Sequence, residues 1–207
     1  MAGSRHDPNS AQRRRRADAE RSIARILDAT VDALTDDADA SMSAIAKRAG
    51  VVRATIYVHF PTRDALLDAV TDRALREVAD VIAAAEPDRG EPREAVARVV
   101  AATWRHLGRY HALVALNTST QTPEQLRVRH GAVLGPLLPL MKRGQTAGAF
   151  RSDVSPEWHL SMLLALVHAA SAELRAGRVT GKRAEAAVVA TVLGAITAPD
   201  TGVARTS

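Results

Sequence analysis

Apolar residues recur along this chain at intervals of three and four, the repeat of helices that bury one face. Ile23, Ile26, Leu27, Val31 and Leu34 carry the repeat through a first helix, which ends in the turn-forming run TDDADA at 35–40. Ser41 offers an N-cap oxygen, and Met42, Ile45, Ala46 and Ala49 form the stripe of a short second helix. Gly50 suits the left-handed residue that closes it. A third short helix is predicted over 52–60, with Ile56 and Phe60 turned inward and Arg53 and Tyr57 on the opposite face. Pro61 disfavours helical geometry at Phe60 and stops that helix. Thr62 then caps a long fourth helix that buries Leu66, Val70, Ala74, Val78 and Val81.

The run EPDRGEP at 86–92 is the clearest break in the chain. Beyond it the pattern predicts helices near 93–109, 111–118, 124–147, 157–177 and 182–198, with Pro136 and Pro139 kinking or splitting the third. Residues 1 to about 12 read as an irregular arm. No run has the alternation of a strand, so the expectation is an all-α protein of about nine helices.

Composition narrows the picture. Aromatic residues make up 3% of the chain, so Ala, Val, Leu and Ile must fill the interior. The chain has no cysteine, which excludes disulfides and thiolate sites. The longest apolar stretch, LSMLLALVHAASA at 160–172, is too short to span a bilayer. With no signal-type run at the start, a soluble cytoplasmic protein is expected. No nucleophile elbow, phosphate loop or HExxH motif appears, and the histidines lack ligand spacing. Neither an enzyme, a metal set nor a cofactor is expected.

Net charge is +5 and the isoelectric point about 10.3, a weak pointer to a polyanionic partner. Distribution says more. Lys47, Arg48, Arg53 and Arg63 fall in a window from Ser43 that meets no acid before Asp64.

Two short helices joined at Gly50 make a helix-turn-helix, whose second helix can enter a DNA major groove. Its outer side offers a guanidinium (Arg53), hydroxyls (Thr55, Tyr57) and an imidazole (His59). The competing reading is an ordinary αα-hairpin with a solvated face. A generic hairpin usually exposes Glu and Lys, so these residues favour DNA.

The stretch SMSAIAKRAGVVRATIYVHFPTRDALLDAV at 41–70 resembles the DNA-binding signature of the TetR family of transcriptional regulators. RGQTAGAFRSDVSPEW at 143–158 resembles the family's layout as well. The resemblance implies an amino-terminal DNA-binding domain over 1–64, arm included, and a helical effector-binding and dimerisation domain over 65–207. It implies that Ser43 and Arg53 read bases, that Ala54 and Thr55 lie against base edges or backbone, and that Tyr57, His59 and Arg63 contact phosphates. His59 has a second reading, at the edge of the core. The implied function is a repressor that binds a palindromic operator as a dimer and is released by a small apolar effector. A helical dimer acting only through protein partners is the alternative.

Three departures from the family pattern stand out. Val52 replaces the usual polar cap of the recognition helix, the loop DDADA lacks the glycine often found there, and Arg63 replaces lysine. Arg13–Arg16 either extend the DNA footprint or form a solvated charge run. The last two helices are apolar nearly all round, and Ala187, Ala190 and Gly194 permit close approach, which suits pairing with a second copy. Trp104, Leu107, His111, Leu137, Met141, Met162 and His168 are the candidate effector residues, each also readable as plain core. Pro136 and Pro139 free the carbonyls of Ala132 and Gly135 as possible polar handles.

Overall fold

A computed structural model describes residues 8–198. Among them every regular element is helical, apart from one isolated bridge between Phe150 and Thr197. The first unit runs to Thr71 and the second starts at Asp72.

The first unit holds α1 (Pro8–Asp36), α2 (Met42–Arg48), α3 (Arg53–His59) and the opening turns of α4 (Arg63–Ala84). The first helix begins at Pro8, so residues 8–12 are helical where an irregular arm was expected. Proline is tolerated in a first turn, and Ala, Gln and Arg propagate the helix from there. Arg13, Arg14 and Arg16 are exposed near its start. Ile26, Leu34, Ile45, Ile56, Leu66 and Val70 are all but fully buried and form this unit's core.

In the second unit α4 continues, with Ala74, Val78 and Ile82 buried; Ile82 rather than Val81 takes the last inward position. There follow α5 (Pro92–Leu107), a 3₁₀ turn, α6 (His111–Thr120), α7 (Pro123–Arg129), α8 (Gly131–Leu134), a second 3₁₀ turn, α9 (Leu138–Thr146), α10 (Pro156–Arg175) and α11 (Gly181–Ile196). The single helix expected over 124–147 is thus three helices and a turn. Pro136 and Pro139 each remove a donor, and the 3₁₀ turn at 135–137 absorbs the change by taking the Gly135 carbonyl for the Leu138 N–H. That carbonyl is not a spare polar handle.

Helix α10 packs on α6, α9 and α11, while α5 packs on α9 and α11. The last turn of α9 and the loop after it each need a glycine, for different reasons. Gly148 sits at φ +69, and a Cβ on Gly144 would come within 2.0 Å of the buried Phe150 ring.

Candidate nucleic-acid interface and buried histidine cluster

The helix-turn-helix is assembled by local hydrogen bonds that its sequence dictates. Ser41 Oγ accepts the Ala44 N–H at 3.2 Å and starts α2. Gly50, at φ +65, ends it: the Gly50 N–H reaches the Lys47 carbonyl and the Val51 N–H reaches that of Ala46. That pair of bonds is a Schellman closure, and it aims the chain into α3. Val52 precedes α3 with extended geometry and no side-chain cap, as its apolar side chain requires. Phe60 closes α3 and stays buried, and Thr62 Oγ1 accepts the Ala65 N–H to begin α4. The loop without glycine is held instead by Asp37, whose carboxylate accepts the Asp39 N–H at 2.9 Å and whose carbonyl accepts that of Ala40.

On this frame Ser43, Arg53 and Ala54 are exposed, Tyr57 is partly exposed, and Thr55 and His59 are half-buried. The Arg53 guanidinium lies over the Tyr57 ring, 5.5 Å from its centroid. This contact is a cation–π pair one helical turn apart, and it orients the guanidinium on the outer side of α3. His59 is tilted against Phe60 with centroids 6.3 Å apart, so its ring contacts the core edge while part of it meets solvent. Arg63 is turned inward: its Nη2 donates to the Ala38 carbonyl at 2.6 Å and its Nε to that of Ala40 at 3.4 Å. A lysine has no fork to tie two carbonyls, so the arginine here braces the α1–α2 loop. Arg48 pairs with Asp36 of α1.

The candidate effector residues divide. The Trp104 and His111 rings meet at a 45° tilt with centroids 4.7 Å apart, and His111 Nδ1 lies 3.0 Å from Ser171 Oγ. The hydroxyl of Ser171 donates to the Val167 carbonyl, so His111 Nδ1–H is the donor in that pair. His168 Nδ1 lies 3.1 Å from Thr118 Oγ1. His130 meets His168 edge-on, with centroids 5.1 Å apart, and its Nδ1 donates to the Leu126 carbonyl at 2.7 Å. Leu107, Leu137 and Met141 are buried and Met162 half-buried, all without a polar partner to set them apart from core.

Burial controls the charge of this cluster. His168 is pushed down to about 4 by desolvation and then by His130. Desolvation lowers His111 and His130 too, the latter against the opposing pull of the Leu126 carbonyl. All three are neutral imidazoles at neutral pH, each hydrogen-bonded to a hydroxyl or a carbonyl. His130 and the hydroxyls of Thr118 and Ser171 were not among the expected site residues. Their partners lie 38 to 60 positions away, beyond any local spacing rule.

A tight turn between two short helices, with an exposed guanidinium and hydroxyls on the second, defines a helix-turn-helix DNA-binding domain. Residues 26–70 match the family described as bacterial regulatory proteins, tetR family. The HTH-type transcriptional regulator NfxB of Pseudomonas aeruginosa is 28% identical over 158 residues, spanning 74% of this chain and 83% of that protein. The uncharacterized HTH-type regulator Rv1255c of Mycobacterium tuberculosis is 38% identical over 101 residues, 48% of this chain and 50% of its own. Among solved structures, the TetR-like regulator LfrR from Mycobacterium smegmatis in complex with proflavine superposes with a TM-score of 0.67 at 24% identity, covering 87% of this chain and 98% of its own. Residues 26–70 thus carry a TetR-family DNA-binding domain, and over most of its length the chain is similar to TetR-type transcription regulators.

Proposed function

We propose that the protein is a repressor that binds a palindromic operator as a homodimer and leaves it when a small, mainly apolar effector enters the second unit. The observation that carries this reading is the outer side of α3, where Arg53 is stacked over Tyr57 and exposed beside Ala54. Arg53 serves as the base reader, with Ser43 and Thr55 beside it. Tyr57 and His59 meet phosphates, and Arg63 adds what donors its loop contacts leave.

Pairing with a second copy is supported by α10 and α11. Ala165, Ala169 and Ala172 of α10 and Ala186, Ala187, Ala190 and Gly194 of α11 remain exposed in the single chain. Between these helices runs a shallow groove of about 190 Å³, lined by Leu166, Ala169, Ala187 and Val188 among others. A two-fold dimer sets operator half-sites about one turn apart, roughly 34–36 Å, or a multiple of that.

Effector control is supported by the neutral imidazoles of His111 and His168, which combine apolar walls with a few directed polar atoms. LfrR's complex with proflavine gives a ligand precedent on the same fold. Helix α4 contributes residues to both units. In the second unit it is tied by Glu77, which accepts Tyr110 Oη–H at 2.7 Å and lies 3.1 Å from His106 Nε2, and by Asp72, paired with Arg129. Arg129 adjoins His130, so a ligand that disturbs the histidine cluster has a short route to α4.

Three measurements test the reading. Retarded migration of operator fragments and a dimer mass in sedimentation are expected; a monomer at micromolar concentration contradicts the pairing. Apolar effectors titrated calorimetrically must bind more weakly to the operator complex, by the same factor as they weaken DNA binding. Equal affinity in both would reject induction by those compounds.

A further inference from the structure

Among the described residues, the exposed large apolar side chains include Val52, Tyr57 and Val58, all inside seven positions around α3, with Val128 and Trp158 elsewhere. Val58 is 78% exposed, the highest of these. Helix propensity does not favour it there, since Glu, Lys or Ala would serve a solvated helix better. A cluster of exposed apolar surface marks a contact.

Its place on α3 says which contact. At about 100° per residue, Val58 and Ala54 fall about 160° to either side of the buried Ile56, and so straddle the outermost line of the helix. Arg53 and Tyr57 lie on one flank, Thr55 and His59 on the other. Ala54 and Val58 are open, as are Arg53 and Tyr57 on the first flank, while Thr55 and His59 on the second are half-buried. The outer face is therefore methyl-bearing along its middle and polar along both sides.

A helix lying in a major groove turns its outermost line to the base edges, which a long side chain such as Arg53 also reaches from beside that line, while shorter groups on the flanks face the phosphate walls. The apolar group on those edges is the C5-methyl of thymine. We propose that Ala54 and Val58 read thymine through this methyl group, so that each half-site carries thymine beneath the centre of α3, beside the base pair read by Arg53. This inference rests on α3 being the DNA-reading helix and adds the base chemistry it selects. Val58 is the residue added to the interface; its signal in the sequence was an apolar position opposite Ile56.

The test uses duplexes enriched by the full-length protein from random DNA. Each thymine is replaced in turn by deoxyuridine, which deletes the methyl group and keeps every hydrogen-bonding group. Wild-type protein is expected to lose roughly fourfold in affinity at one or two thymines per half-site, the worth of a methyl removed from water. Val58→Ala should weaken the unmodified duplex by a similar factor and lose the thymine–uracil difference there, while keeping its preference at the Arg53 base pair. Its exposure leaves the core of the unit untouched. Uracil tolerated at every position, or Val58→Ala keeping the full methyl effect, would overturn the proposal while the operator reading stands. Failure to enrich any sequence would overturn both.

Discussion

His59 and His168 carry the same ring into opposite circumstances. His59 stands half-buried at the end of α3, one edge on Phe60 and the other toward solvent. His168 is 6% exposed, hydrogen-bonded to Thr118, faced by a second imidazole and pushed down to about 4. The contrast extends to their regions. Around α3, structural work is done by Ser41, Gly50, Ile56 and Arg63, which leaves Arg53, Ala54 and Val58 able to change without unfolding the unit. Around α6 and α10 the side chains of His111, His168 and Ser171 are themselves buried, so the residues suited to a ligand also hold the fold. Recognition can change cheaply in the first region and only at a cost in stability in the second.

The sharpest way to probe the second region is Gly144→Ala. The new methyl would sit about 2 Å from a ring carbon of Phe150, which is buried and has little room to move. A loss of about 3 kcal/mol is expected, the upper range for overpacking, measured by urea denaturation. Retained stability would show that this turn yields more readily than its packing implies.

Acid should discriminate almost as strongly. The folded His168 titrates near 4 and an unfolded histidine near 6.5, so the unfolded chain binds the extra proton between those values. Its stabilising contribution is complete above about pH 6.5 and is lost as pH falls toward 4. By pH 5 the loss from this group is on the order of 2 kcal/mol, and His111 and His130 act in the same direction. His168→Asn should flatten the dependence of the melting temperature on pH between 7 and 5. An unchanged slope would mean that the cluster is hydrated.

Arg63 tests whether the first region separates its tasks as cleanly as its surface suggests. Because its guanidinium holds Ala38 and Ala40, Arg63→Ala should cost about 1–2 kcal/mol of stability as well as DNA affinity. Arg63→Lys should keep the charge and lose the brace. If Arg63→Ala weakened binding to all sequences with stability unchanged, the phosphate role would be its whole role.

The smallest effect belongs to Val52. Val52→Thr supplies the cap that α3 lacks and should add about 1 kcal/mol, raising the melting temperature by about 2–4 °C. No gain would mean that the first N–H groups of α3 are already satisfied.

The same contrast explains what the sequence disclosed. The turn around Gly50 and the caps at Ser41 and Thr62 are short-range devices, each legible within four residues, and Arg53 and Tyr57 stand on the exposed side of the helix they frame. Val58 drew no notice in the sequence, because an apolar residue inside a helix is usually core. Arg63 read as a surface charge because its carbonyl partners lie more than twenty positions upstream. In the second region the apolar repeat runs on through 124–147, and only the prolines warned of the break that yields α7, α8 and α9. His130 gave no signal, since its partner stands on α10.

The central claim is that the surface of α3 reads operator sequence, and Arg53 tests it most directly. Equilibrium binding of wild-type and Arg53→Ala protein is measured on a selected operator and on every single-base variant of one half-site. The expected result is a loss of about 1–3 kcal/mol with preference relaxed at one base pair and kept at the others. An unchanged preference at every position would contradict the account.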